Sequence, residues 1–80
     1  MGVRWKLKEF LDSNSVTAYA LAIKVNSKLS QKGVYRLTDE DLSGIRFNSL
    51  DVIIPALNEL TGKRVQVSDL LEFEYTDETN

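Results

Sequence analysis

Four residues within a span of six, Gln31, Lys32, Tyr35 and Arg36, carry the side chains best suited to recognition chemistry in this sequence. Spaced i, i+1, i+4 and i+5, they fall on one face if the segment is helical. A Gln amide matches the donor and acceptor edge of adenine. Lys and Arg donate to the two acceptors of guanine, and a Tyr ring packs on a thymine methyl or reaches a phosphate. Just upstream, Thr17, Lys28 and Ser30 supply two hydroxyls and an ammonium of the kind that hold phosphate oxygens together with helix N-terminal amides. Gln31, Lys32, Tyr35 and Arg36 are therefore the candidate base-reading residues. Thr17, Lys28 and Ser30 are the candidate phosphate-binding residues.

Catalytic chemistry finds little to work with. The chain has no His and no Cys, which removes the usual bases and nucleophiles near neutral pH, the ordinary zinc ligands and any disulfide framework. It also contains neither a GxxxxGK[ST] phosphate loop nor a GxGxxG turn. Asp39, Asp41, Ser43 and Gly44 follow the opening spacing of a calcium loop. The bidentate glutamate that closes such a loop would fall at position 50, which is Leu50, so a solvated acidic loop is the better reading. The expectation is a protein that is not an enzyme and takes no cofactor and no metal.

The 80 residues predict one domain over 1–75 and a flexible acidic tail over 76–80. No apolar run approaches the ~18 residues of a membrane span, and Met1 to Lys6 lacks the apolar stretch of a secretory signal, so a cytoplasmic protein is expected. The net charge of −2 conceals an uneven distribution. Residues 1–37 hold seven basic and two acidic side chains, a balance of +5, whereas residues 38–80 hold three basic and ten acidic ones, a balance of −7. The basic half contains every candidate recognition residue, and clustered cations are what a nucleic-acid partner requires.

These residues need elements to position them. Leu7, Phe10 and Leu11 follow helical spacing, with Arg4-Trp5-Lys6 extended before them and a break at Ser13-Asn14-Ser15. Thr17 is placed to cap a second helix over 18–25, with Val16 and Leu21 as its hydrophobic staple and Leu21, Ala22 and Val25 facing inward. A turn at Asn26-Ser27-Lys28, with Asn26 left-handed, leads to Ser30, the cap of a third helix over 31–37 anchored by Val34 and Leu37. After a polar connection, Asn48 caps a fourth helix over 49–61, stapled by Phe47 and Val52 and apolar at Leu50, Ile53, Ile54, Leu57 and Leu60. Pro55 lies inside it, and Gly62 is placed to end it. Ser68 to Leu71 reads as a helical turn, and Leu71 to Tyr75 alternates as a strand. Pairing that strand with the N-terminal segment sets Glu72 and Glu74 against Arg4 and Lys6 and puts Trp5, Phe73 and Tyr75 over the core.

Val16-Thr-Ala-Tyr-Ala-Leu-Ala22 followed by Lys28-Leu-Ser-Gln-Lys-Gly-Val-Tyr-Arg-Leu37 resembles the Cro/phage-repressor-like (XRE) helix-turn-helix family. Phe47-Asn-Ser-Leu-Asp51 with Ala56-Leu57, and Asp69-Leu-Leu-Glu-Phe-Glu74, extend the resemblance to about residues 3–75. It implies an all-α, five-helix repressor-like domain with a small β-pair from the two chain ends. It also implies sequence-specific binding of double-stranded DNA by a transcriptional regulator, a repressor, that reads the major groove with the helix at about 30–37. The unpaired edge of the C-terminal strand, with Trp5, Phe73 and Tyr75, offers a homodimer seam as the alternative or the complement to core cover. Ala18 stands where the family often has a DNA-touching Gln, and Gly33 where Thr is frequent. These departures support the alternative, a protein-interaction or antitoxin-like module on a helix-turn-helix scaffold without strong DNA binding.

Overall fold

In a computed structural model, which describes residues 2–39 and 41–75, strand β1 (Gly2–Trp5) leads into α1 (Leu7–Ser13), α2 (Ala18–Lys24), α3 (Gln31–Leu37) and α4 (Phe47–Thr61). A 3-10 turn (Val67–Asp69) and strand β2 (Leu71–Glu74) complete the chain. The architecture is mostly helical with one two-stranded antiparallel sheet. Four α-helices form where five were expected. The segment after Gly62 makes only a single 3-10 turn, because Leu70 is buried and Leu71 already belongs to β2. The expected acidic tail at 76–80 lies outside the described residues.

Local chemistry explains most boundaries. The Thr17 hydroxyl accepts from the Ala20 amide and the Ser30 hydroxyl from the Gly33 amide, each at 3.0 Å, so both helices begin at their expected caps. Break 13–15 is a Schellman turn. Ser15 is left-handed at φ 58°, and the Val16 amide donates to the Leu11 carbonyl at 2.9 Å. At the far end of α4, Gly62 is left-handed at φ 71°, as its position requires. Asn26 is not left-handed. The Lys28 and Leu29 amides both donate to the Val25 carbonyl at 2.9 Å, so consecutive right-handed turns carry the chain onward. This winding begins at Val25, which caps α2 and is buried, and α2 therefore ends at Lys24.

The start of α4 differs from expectation. Arg46 is its N-cap, Phe47 its first residue, and neither a side-chain cap nor the Phe47 staple forms. The Ser49 amide, at 3.0 Å, and the Leu50 amide, at 3.3 Å, both donate to the Arg46 carbonyl, so Asn48 already lies within the first turn. Phe47 is 83% exposed. The half-buried Ile45 holds the approach to the helix, which places its first turn before the predicted cap.

One core joins all the helices. Leu7 and Leu11 of α1, Leu21 and Ala22 of α2, Val34 of α3 and Leu50, Ile53, Ala56 and Leu57 of α4 are buried together with Val25, Val65 and Leu70. Ile54 and Leu60 are only half-buried, and Ala56 takes an inward place on α4 instead. Strands β1 and β2 pair as Gly2 with Glu74, Val3 with Phe73, Arg4 with Glu72 and Trp5 with Leu71. Arg4 meets Glu72 at 3.6 Å and Glu74 at 3.7 Å and also pairs with Glu9, while Lys6 meets Glu72 at 3.7 Å. Of the three aromatic residues expected over the core, only Trp5 is buried. Phe73 and the 78%-exposed Tyr75 stack edge to face, with ring centres 4.8 Å apart. By the pleat, alternate residues Val3, Trp5, Leu71 and Phe73 share a face, of which Trp5 is buried and Leu71 half-buried while Val3 and Phe73 are exposed.

Candidate nucleic-acid interface

Helix α3 is held inward by Val34, which is completely buried, and by the half-buried Leu37. With those two positions fixed, the helical period turns Gln31, Lys32, Tyr35 and Arg36 outward, and all four are exposed. The Gln31 amide donates to the Tyr35 hydroxyl at 3.0 Å, which links two of the candidate base readers across one turn. Gln31 also adjoins α2, sharing a shallow depression with Ala22, Ile23 and Asn26. Lys28, in the turn before α3, is exposed.

Thr17 and Ser30 are exposed as well, and their oxygens accept cap hydrogen bonds. A capping hydroxyl keeps its own hydrogen free to donate, so serving as a cap is compatible with holding a phosphate. Gly33 sits close against the Ser30 cap. A Cβ built there would lie 3.1 Å from the Ser30 hydroxyl, tighter than ordinary contact, at the position whose amide that hydroxyl caps.

The basic half is not uniformly basic at the surface. Arg4 and Lys6 are engaged by Glu9, Glu72 and Glu74, Lys8 lies 3.6 Å from Asp12, and Lys24 lies 2.7 Å from Glu59 on α4. Lys28, Lys32 and Arg36 make no ion pair with any described residue. Of the seven cations in residues 1–37, the three without an ion pair among the described residues are therefore those in and just before α3.

A further cation was not legible in the sequence. Arg46, counted with the acidic half, lines the same depression as Arg36, along with Leu37, Leu42, Ser43, Gly44, Ile45 and Ser49. Its isolation among acidic residues hid it, and only the fold of loop 38–46 reveals the neighbour. In that loop the Asp41 amide donates to the Asp39 carboxylate at 2.9 Å, an Asx turn. Among the described residues no cluster of metal-ligating side chains occurs, and no helix is long and apolar enough to cross a membrane. No family model, curated protein or solved structure matches the chain.

Proposed function

We propose that the chain is a sequence-specific double-stranded DNA-binding protein, a transcriptional regulator acting as a repressor, that reads the major groove with α3. The observation that carries this reading is the coincidence of three features on one short helix and the turn before it. They are an outward face of Gln31, Lys32, Tyr35 and Arg36, the charges of Lys28, Lys32 and Arg36, which pair with no described carboxylate, and an inward anchor at the buried Val34. A helix of seven residues spans about 10 Å, a length that fits within the width of the major groove of duplex DNA. Base edges are read by the α3 side chains, while Thr17, Lys28 and Ser30 hold phosphates and set the register. Repression follows from occupancy, since a bound protein excludes polymerase from the same duplex. The resemblance to the XRE family supports the regulatory role. A homodimer through the C-terminal strand is in keeping with Val3, Phe73 and Tyr75, which leave apolar surface exposed on the ribbon.

A second reading is favoured by a different observation. Phe47, Tyr75 and Val3 are 83%, 78% and 71% exposed, the apolar exposure expected of a protein-interaction or antitoxin-like module. Selection from a random duplex pool at ~100 mM salt separates the two. A shared recovered motif supports the regulator. No enrichment, together with a stoichiometric complex with another protein, supports the interaction module and contradicts DNA reading.

A further inference from the structure

Helix α3 is held by the core and, at its C-terminal end, by a residue of β1. Seven residues with a glycine among them make a helix that is marginal without tertiary support. Val34 is its one fully buried side chain, and Leu37 packs half-buried against the core three residues later. Its terminal carbonyls are mostly satisfied locally. Tyr35 accepts from the Thr38 amide at 3.1 Å and the Thr38 hydroxyl at 2.6 Å, and Arg36 accepts from the Asp39 amide at 3.2 Å. These bonds move with the helix and do not orient it. The Leu37 carbonyl is different, because it accepts from the indole N–H of Trp5 on β1 at 2.5 Å.

Trp5 is itself immobilised. It is 5% exposed, paired with Leu71 across the sheet, and followed by a 2.7 Å bond from the Lys6 amide to the Leu70 carbonyl. Its ring lines a cavity with Val3, Leu42, Gly44, Ile45 and Leu71, so it touches the ribbon and the loop after α3 together. Val34 and Leu37 fix the inward face of the helix, and the Trp5 bond to the Leu37 carbonyl ties its last residue to β1.

We infer that Trp5 is a positioning residue for the DNA-reading helix: its indole N–H holds the C-terminal end of α3 and so sets the angle at which Gln31, Lys32, Tyr35 and Arg36 meet bases. The inference rests on the DNA-reading function proposed above and adds to it a dependence on the paired chain ends, which are far from the reading face in sequence.

The test replaces Trp5 with its benzothienyl isostere, which keeps the bicyclic ring and deletes only the N–H donor. Trp5→Phe serves as a second variant, and Val65→Ala, a buried residue on neither β1 nor α3, as a control for general destabilisation. For the duplex recovered by selection, the isostere is expected to bind about fivefold to tenfold more weakly, the effect of one lost hydrogen bond. Affinity for unrelated duplex stays at the parent value, because the phosphate-binding cations are untouched. Val65→Ala keeps both affinities. Amide exchange in the isostere accelerates at residues 35–39 relative to α4. Parent-like discrimination with parent-like exchange at 35–39 overturns the inference, as does an equal loss of discrimination in Val65→Ala. Should the parent select no duplex, the DNA-reading proposal falls by itself, and the exchange comparison alone decides whether Trp5 anchors α3.

Discussion

Ser15 adopts a left-handed backbone at φ 58° to let the chain leave α1, a conformation that places a Cβ close to a carbonyl oxygen. Glycine has no such conflict, so Ser15→Gly is expected to stabilise the fold by about 0.5–1 kcal/mol. A urea titration should show a higher midpoint at an unchanged slope, and a lower midpoint would contradict the strain. Capping was the most legible feature at this scale. Thr17, Ser30 and Gly62 perform their predicted roles because a cap is decided by the residue and the amides within one turn of it. Asn26 was misread for the complementary reason. Its capacity for a left-handed turn is real, but burial of Val25 directs the chain through right-handed turns instead. The candidate base readers were legible because Val34 fixed the inward side of a short periodic helix. Arg46 was not, since its proximity to Arg36 depends on how loop 38–46 folds.

Helix α4 contributes more buried residues to the core than any other element, and its burial sets the largest stability effects. Ile53 and Leu57 are completely buried at its centre. Ile53→Ala is expected to cost about 2–5 kcal/mol, a large part of the stability of a domain this small, and should be visible as a lowered thermal midpoint. Arg4→Ala in β1 is expected to cost less than about 1 kcal/mol, although Arg4 faces three carboxylates, because all those groups are partly solvated. Equal losses in the two variants would contradict the assignment of stability to the apolar core. Pro55 lies in the interior of α4 and is exposed, so its ring occupies the solvent side while Ala56 and Leu57 pack inward. The centre of α4 was legible from its periodicity. Its start was not, because Arg46 caps with backbone alone and no residue type announces such a start. The pairing of the two chain ends was legible from their opposed charges, but the register, which sets Glu72 across from Arg4 and Glu74 across from Gly2, and the exposure of Phe73 and Tyr75 were not.

Across the whole molecule, pairing redistributes the charge that the sequence divides so unevenly. Of the seven cations in residues 1–37, four are held by carboxylates of α1, α4 and the ribbon, and Lys28, Lys32 and Arg36 pair with no described carboxylate. With Lys28 as the cation on a phosphate and Lys32 and Arg36 on base edges, the slope of the logarithm of the binding constant per subunit against that of salt concentration is about −1. Lys28→Ala should make the slope shallower by about 1 and weaken all duplexes alike. A slope near −6, as if every cation of that half reached the backbone, would contradict the pairing. The most direct measurement of base reading by α3 is selection from a random duplex pool, performed in parallel with the parent and with Arg36→Ala. The predicted result is a shared motif for the parent and, for the variant, the same motif with preference relaxed at one position by about 1–3 kcal/mol. An identical motif from both proteins, or none from the parent, would contradict it.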